Sequence, residues 1–288
     1  MSKVKTWGQA VDFTFRNKPS WKHGNGSKTS RFNCNHFTRL QGLSFPVPRI
    51  RPALMLSVGN ELEAEGKSNA TINRVISAVS TAIRFCASVE LCDMPPPFVR
   101  RKESEGRKLY FTHDQVDRMA LISTEVFGRE DLRDIILFGA YTGMRQGEIL
   151  RIRAKDIDWH RNRINVGGEE GQWTKSGDIR HIPIHHKIAD MLDSRCSQSS
   201  RKNDRLFGDE LRDRHQLLNN FKKVVRLINL NEHHYVFHTL RHSYATWLGE
   251  AGIPVHEIMA LCGHSKVDTT LRYTKPTDPA LQRAMDSI

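Results

Sequence analysis

The sequence predicts a mainly α-helical chain with a small antiparallel β-sheet, an α+β fold in two domains. Three observations carry this expectation. Apolar residues recur at helical spacing along most of the 288 residues. One region, 157–184, carries instead short β-branched runs around turn residues, as in IDWHRNRINV and WTKSGDIRHIPI. The length suggests about two domains at roughly 150 residues each, and a triple proline followed by a charged, glycine-containing stretch falls where they would divide.

In the N-terminal part, Trp7, Val11 and Phe15 recur at spacing four and mark one helical face. A polar loop, PSWKHGNGSKTS, is expected next, then a helix over about 30–41 stopped by Gly42. Pro52 suits the first turn of a third helix running to about residue 66. The clearest helix starts near Asn69, with Ile72, Val75, Ile76, Val79, Ala82, Ile83 and Cys86 on one face and Asn73, Arg74 and Arg84 on the other. Pro95, Pro96 and Pro97 end this first domain, 1–99. Residues 100–108, opening with Arg100, Arg101 and Lys102, have no apolar periodicity and read as a basic linker or a solvated surface loop. The second domain, 109–275, starts with Thr112 as a helix cap before HDQVDRMALIS. LRDIILFGAYTG is a second helix, the β region follows, and the remainder returns to helix. The tail, 276–288, is broken by prolines and includes ALQRAM, which suits a short helix or a frayed end.

Lys plus Arg number 44 against 32 Asp plus Glu, a formal charge of +12. That excess favours a polyanionic partner: DNA, RNA or an acidic membrane surface. No stretch approaches the roughly 18 apolar residues of a membrane span, and the N-terminus lacks the pattern of a secretion signal. The five cysteines are scattered and never form a CxxC pair, which argues against a disulfide framework or cysteine zinc finger and for a reducing cytoplasm. No repeat of 20–50 residues is visible, and no GxxxxGK[ST] loop is present, which disfavours a nucleotide-driven motor.

Four segments of the second domain stand out: TGMRQGEILRIRAKDID with Arg145, TKSGDIRHIPI with Lys175, HTLRHSYATWL with His238 and Arg241, and LCGHSKVDTTLRYTK with His264 and Tyr273. Singly, each has an ordinary explanation. Arg145 can pair with Glu148, Lys175 can be a solvated hairpin charge, and Tyr273 can be a packing residue. His238 and His242 are spaced like a metal pair, but no HExxH glutamate accompanies them. Together they suit one chemistry. Two guanidiniums clamp the non-bridging oxygens of a phosphodiester, and a lysine protonates a poor leaving group. Imidazoles accept the nucleophile's proton or donate to the phosphate. A tyrosine attacks once a cationic pocket and nearby base offset its pKa of about 10. Arginines then take the place of the divalent ions that metal-dependent nucleases use.

These segments resemble the tyrosine recombinase (phage integrase) family across roughly 112–275. TGMRQGEIL is similar to its first-arginine motif, the Lys175 turn to its lysine hairpin, HTLRHSYAT to its HxxR box and LCGHSKVDTTLRYT to its LGH…Tyr box. VGGEEGQWTK ahead of Lys175 is longer than usual, and Cys262 stands where a leucine is common. The N-terminal helices resemble the family's core-binding domain more loosely. The resemblance implies that Arg145 and Arg241 bind the scissile phosphate and Lys175 is the general acid. It makes His238 a general base or proton shuttle, His264 a phosphate donor, Tyr273 the nucleophile, and Glu148 the residue that keeps the pocket in shape.

It further implies a helical core-binding domain and a catalytic domain that close as a C-shaped clamp on DNA, with Lys28, Arg31, Arg74 and Arg84 and the linker's Arg100, Arg101 and Lys102 as DNA contacts. No metal, ATP or other cofactor is expected. The implied partners are double-stranded recombination sites, a homotetramer formed partly by tail docking, and a DNA-bending or directionality factor, with no membrane. The favoured role is the compact integrase of a phage or other mobile element, with no separate arm-binding domain ahead of Trp7. A chromosome-dimer resolvase, a type IB topoisomerase and a non-catalytic DNA-binding protein are the alternatives.

Overall fold

Thr6 opens the first helix, α1 (Trp7–Asn17), with a reciprocal cap: its hydroxyl accepts from the Gln9 N–H while the Gln9 side chain accepts from the Thr6 N–H. The computed structural model describes residues 3–103, 109–167, 179–199, 201, 204–207, 214–274 and 285–286. The chain forms two compact units, Met1–Gly106 and Arg107–Ile288, and each has its own apolar core.

In the first unit α1 buries Trp7, Ala10 and Thr14, with Val11 and Phe15 flanking that seam. The Trp7 indole N–H donates to Thr38 Oγ1 at 2.8 Å, so a large apolar anchor also has its polar atom satisfied. The expected polar loop is helical instead: α2 (Pro19–Lys22) and α3 (Gly24–Gln41) occupy it. Pro19 is preset for a first helical turn, and Trp21 is buried against Phe15, their rings 4.9 Å apart. The polar residues thus lie along a packed helical segment. Gly42 ends α3 at φ +81°, a conformation other residues resist. Helix α4 (Pro52–Ala64) has proline in its first turn, and α5 (Asn69–Ala87) is capped by Ser68.

All seven apolar residues expected on the inner face of α5 are buried. Asn73, expected on its opposite face, is buried too. Its Nδ2 donates to Arg101 O and Glu103 Oε1, both at 2.8 Å, and its Oδ1 accepts from Arg101 N at 2.9 Å. These bonds tie residues 101–103, part of the expected linker, to the first unit. The Arg101 guanidinium bonds Glu63 and Asn60, each at 2.6 Å.

In the second unit Thr112 and Gln115 form the expected cap of α6 (His113–Glu125), and α7 (Glu130–Thr142) ends at Gly143. A short α8 (Gln146–Ile149) leads to the expected antiparallel sheet: β1 (Ile157–Asp158), β2 (Arg163–Val166) and β3 (Arg180–Pro183), in the order β1-β2-β3. Ile164 pairs with Ile182, and both point into the core with Val166. The sheet is followed by α9 (His186–Gln198), α10 (Arg214–Leu227), α11 (Thr239–Glu250), α12 (Val255–Cys262) and α13 (Val267–Leu271). Phe111, Phe138, Phe221 and Phe237 are central to this core. No helix among the described residues is long and apolar enough to cross a membrane.

Candidate active site

The site begins with a backbone device. Gly143 terminates α7 in the left-handed region, φ +60°, and a Cβ there would strike the Tyr244 ring. The chain turns through Met144 and delivers Arg145 as the cap of α8. The Arg145 N–H donates to Glu148 Oε2 and its Nη1 to Glu148 Oε1, both at 2.9 Å, while its Nη2 donates to the Gly263 carbonyl at 2.8 Å. The Arg145–Glu148 pair is therefore present as part of the site rather than as an alternative to it.

Glu148 serves a second guanidinium. Arg180 of β3 donates Nη2 to Glu148 Oε2 at 2.6 Å and Nε to the Leu261 carbonyl at 3.2 Å. The Glu148 and Arg180 side chains are only 7% and 8% exposed, so this is a buried charge network. Burial alone would raise the Glu148 pKa, but the Arg180 hydrogen bond and charge, with the Arg145 N–H and guanidinium, outweigh it and bring it to about 2. Arg180 was not singled out from the sequence. Its signal was register: it shares the parity of the core residue Ile182 in an alternating strand, so a charge was aimed inward.

Arg241 is buried in α11. Its Nη1 donates to the Gly143 carbonyl at 2.7 Å, which links it to the turn that carries Arg145. Its Nη2 is buried with no hydrogen-bond partner among the described residues. Burial first, then the Arg145 and Arg180 charges, lower its pKa to about 10, which leaves it a cation at neutral pH. An unsatisfied buried N–H of a cation costs more than an ordinary lost hydrogen bond, so this atom suits an arriving anion.

The imidazoles and the phenol complete the cluster. His238 caps α11, its ring edge-on to that of His242 with centroids 4.8 Å apart. Enclosure by the surrounding chain, then the His242, Arg241 and Arg145 charges, lowers its pKa. His264 bonds Thr270 Oγ1 through Nδ1 at 2.9 Å and stacks on Tyr273 at 6.3 Å. Burial, then Arg241 and Arg145, brings its pKa down to about 4, so its ring is neutral at pH 7. The Tyr273 phenol is hydrogen-bonded to His242 Nδ1, and burial is the first cause raising its pKa.

The structure thus brings together Arg145, Arg241, His238, His264 and Tyr273, and adds Arg180 and His242. Lys175 lies outside the described residues, as do residues 276–284, 287 and 288 of the expected tail. No group of three His, Cys, Asp or Glu suited to a metal occurs among the described residues. In the first unit Lys28, Arg31, Arg74, Arg84, Arg100 and Lys102 are exposed. Arg31 lies over the Phe15 ring at 4.3 Å, and Arg84 and Arg100 donate to Ser80 and Ser77 of α5 at 3.1 and 2.9 Å. Arg101 is instead engaged by Glu63 and Asn60.

A phenol set among imidazoles and guanidiniums suits covalent attack on a phosphodiester, and the class so defined is the tyrosine recombinases, enzymes that break and rejoin DNA strands. The phage integrase family matches residues 110–279, the greater part of the chain, and the chain belongs to that family. It is 29% identical over 229 residues to the tyrosine recombinase XerA of Thermococcus kodakarensis, covering 78% of this chain and 77% of that protein. It is 30% identical to XerA of Saccharolobus solfataricus, covering 75% and 67% respectively. Its fold is similar to that of the Tn1549 transposon integrase solved with transposon right-end DNA, with a TM-score of 0.77, 15% identity and coverage of 98% and 99%.

Proposed function

We propose that this chain recombines DNA at specific sites through a covalent 3′-phosphotyrosyl bond to Tyr273. Arg145 and Arg241 hold the non-bridging oxygens of the scissile phosphate, His264 donates to the same group, and Lys175 protonates the departing 5′-oxygen. His238, at the exposed end of α11, serves as base or shuttle. The phosphotyrosyl bond retains the energy of the broken strand, so a 5′-hydroxyl rejoins it without ATP or metal. The observation that carries this reading is the buried Arg241 Nη2, which lacks a partner among the described residues and belongs to the same cluster as Arg145 and Tyr273.

In the first unit, the exposed cations of α3 and α5, with Arg100 and Lys102, contact DNA phosphates, and four protomers assemble on two sites, with the tail from Thr277 onward docking on a neighbour. We favour the integrase of a phage or other mobile element. The Xer names of the curated relatives favour a second reading, a chromosome-dimer resolvase. Sequencing of recombination junctions separates them: an integrase joins an element to its host, whereas a resolvase recombines two copies of one site.

The test uses nicked suicide duplexes tiled across the DNA that flanks the gene, incubated with full-length protein in EDTA. A covalent adduct on a subset of tiles is expected, lost in Tyr273→Phe while mobility-shift binding persists. An adduct that survives the substitution refutes the nucleophile, and relaxation of supercoiled plasmid without site preference refutes recombination in favour of a topoisomerase.

A further inference from the structure

Resting on that reading, one residue gains a role that the sequence did not suggest. The Tyr273 phenol bonds Nδ1 of His242, the residue that follows Arg241 on α11. The placement is built from both sides. Tyr273 packs against the small buried cluster of Ala245, Ile258 and Cys262, and its N–H donates to the Thr270 carbonyl at 2.9 Å. Its backbone passes so close to α11 at Gly249 that a Cβ there would strike the Tyr273 carbonyl. The ring is therefore positioned by packing, and His242 is the imidazole at its oxygen. His264 commits Nδ1 to Thr270, and His238 meets His242 edge-on at 4.8 Å.

The surroundings suit a proton acceptor. Burial, then the charges of Arg241 and Arg272, pushes the His242 pKa below its usual 6.5, which keeps the ring neutral at pH 7. Burial, then Cys262, pushes the Tyr273 pKa up against the opposing Arg241 and Arg272 charges, so the phenol does not ionise unaided. A nucleophile held as the neutral phenol needs a base in contact as its oxygen attacks.

We propose that His242 is the proton acceptor of the cleavage step. As Tyr273 Oη bonds to phosphorus, the phenolic proton passes to His242 Nδ1. The bond from phosphorus to the 5′-oxygen breaks, and that oxygen takes a proton from the acid assigned to Lys175. In rejoining, the incoming 5′-hydroxyl attacks phosphorus, its own proton returning to that acid, and Tyr273 leaves with the proton held on His242. Between the two steps His238 exchanges that proton with solvent, which leaves the balance of the cycle unchanged.

The experiment is single-turnover cleavage, at pH 5–9, of a duplex recovered by the Tyr273-dependent capture, with wild type, His242→Ala and His242→Asn. Asparagine places a hydrogen-bonding atom near the position of Nδ1 but takes up no proton. Both variants should cleave ~10²-fold or more slowly at pH 7, with duplex affinity within about threefold of wild type. The groups facing His242 are Arg241 and His238 on α11, and Arg272, Tyr273 and His264 from the chain after α12. His238→Asn and His264→Asn therefore serve as controls. The acid limb of the pH–rate profile should vanish in His242→Asn and persist in both controls, and added imidazole should restore cleavage by His242→Ala. Rates within threefold of wild type with an unchanged profile overturn the proposal, as does faster cleavage, which would make the contact a resting latch. Absence of any wild-type adduct overturns the recombinase reading itself, whereas adduct formation indifferent to His242 overturns this assignment alone.

Discussion

Glu148→Gln removes the one carboxylate shared by Arg145 and Arg180 while keeping the side chain's size. In the folded chain Glu148 titrates at about 2, against an ordinary value of 4.5. That difference, at 1.36 kcal/mol per unit, makes its ionised form worth about 3 kcal/mol of stability. Leaving two guanidiniums without their carboxylate carries a similar cost, about 3–5 kcal/mol for breaking a buried pair. Because the folded pKa is depressed, this stability is fully present above pH 4.5 and is lost as pH falls toward 2. By pH 4 about 1 kcal/mol of it is gone. The variant should therefore be about 3 kcal/mol less stable at pH 7, with a gap that narrows on acidification. Urea titration, with hydrogen exchange of the α8, β3 and α11 amides to localise the loss, measures both quantities. A gap under 1 kcal/mol at pH 7, or one that does not change down to pH 4, would refute the buried network as described.

Gly143→Ala should destabilise the second unit by about 2–4 kcal/mol, combining a left-handed alanine with a forced shift of Tyr244; a thermal melt that leaves the unit's midpoint unchanged would contradict the turn geometry. The double variant Arg74→Ala/Arg84→Ala should weaken binding uniformly across duplex sequences and make the slope of log affinity against log salt shallower by about 1.8, one phosphate contact each. A salt titration with an unaltered slope would remove both residues from the interface.

What was legible in the sequence follows from what kind of force placed each residue. The inner face of α5 was read correctly because burial acts on every residue of a periodic stripe. Asn73 was placed on the face opposite that stripe, and its burial there was not legible because it depends on Arg101 and Glu103, 28 and 30 positions away, which bond it and cover that face. The helix over the expected loop was hidden because only Trp21 marks its buried side among polar neighbours. Arg145, Arg241, His264 and Tyr273 were named together for the chemistry they would share, and the structure places the four in one cluster. Arg180 was findable, since strand parity aims it inward. His242 was not: its spacing from His238 reads as a chance metal pair, and its partner Tyr273 lies 31 residues further on. That contact exists only once α11 and the chain after α13 have packed.

The added residues also clarify the site's electrostatics. Arg145, Arg180 and Arg241 supply three positive charges, Glu148 one negative charge, and the imidazoles of His242 and His264 are neutral at pH 7 because burial and the neighbouring guanidiniums hold their pKa values down. Among these residues the site carries an excess of two positive charges. Under the proposed mechanism Lys175 adds a further cation, and a phosphodiester gathers a second negative charge on its non-bridging oxygens as a nucleophile adds, so this positive excess would favour the crowded phosphorus over the resting substrate. Glu148 limits that excess: without it a third uncompensated guanidinium would hold the ground-state phosphate more tightly and raise the cost of releasing the rejoined strand. Its substitution by glutamine should accordingly tighten binding of uncleaved duplex while slowing turnover, a pairing of effects that a simple loss of folding would not produce.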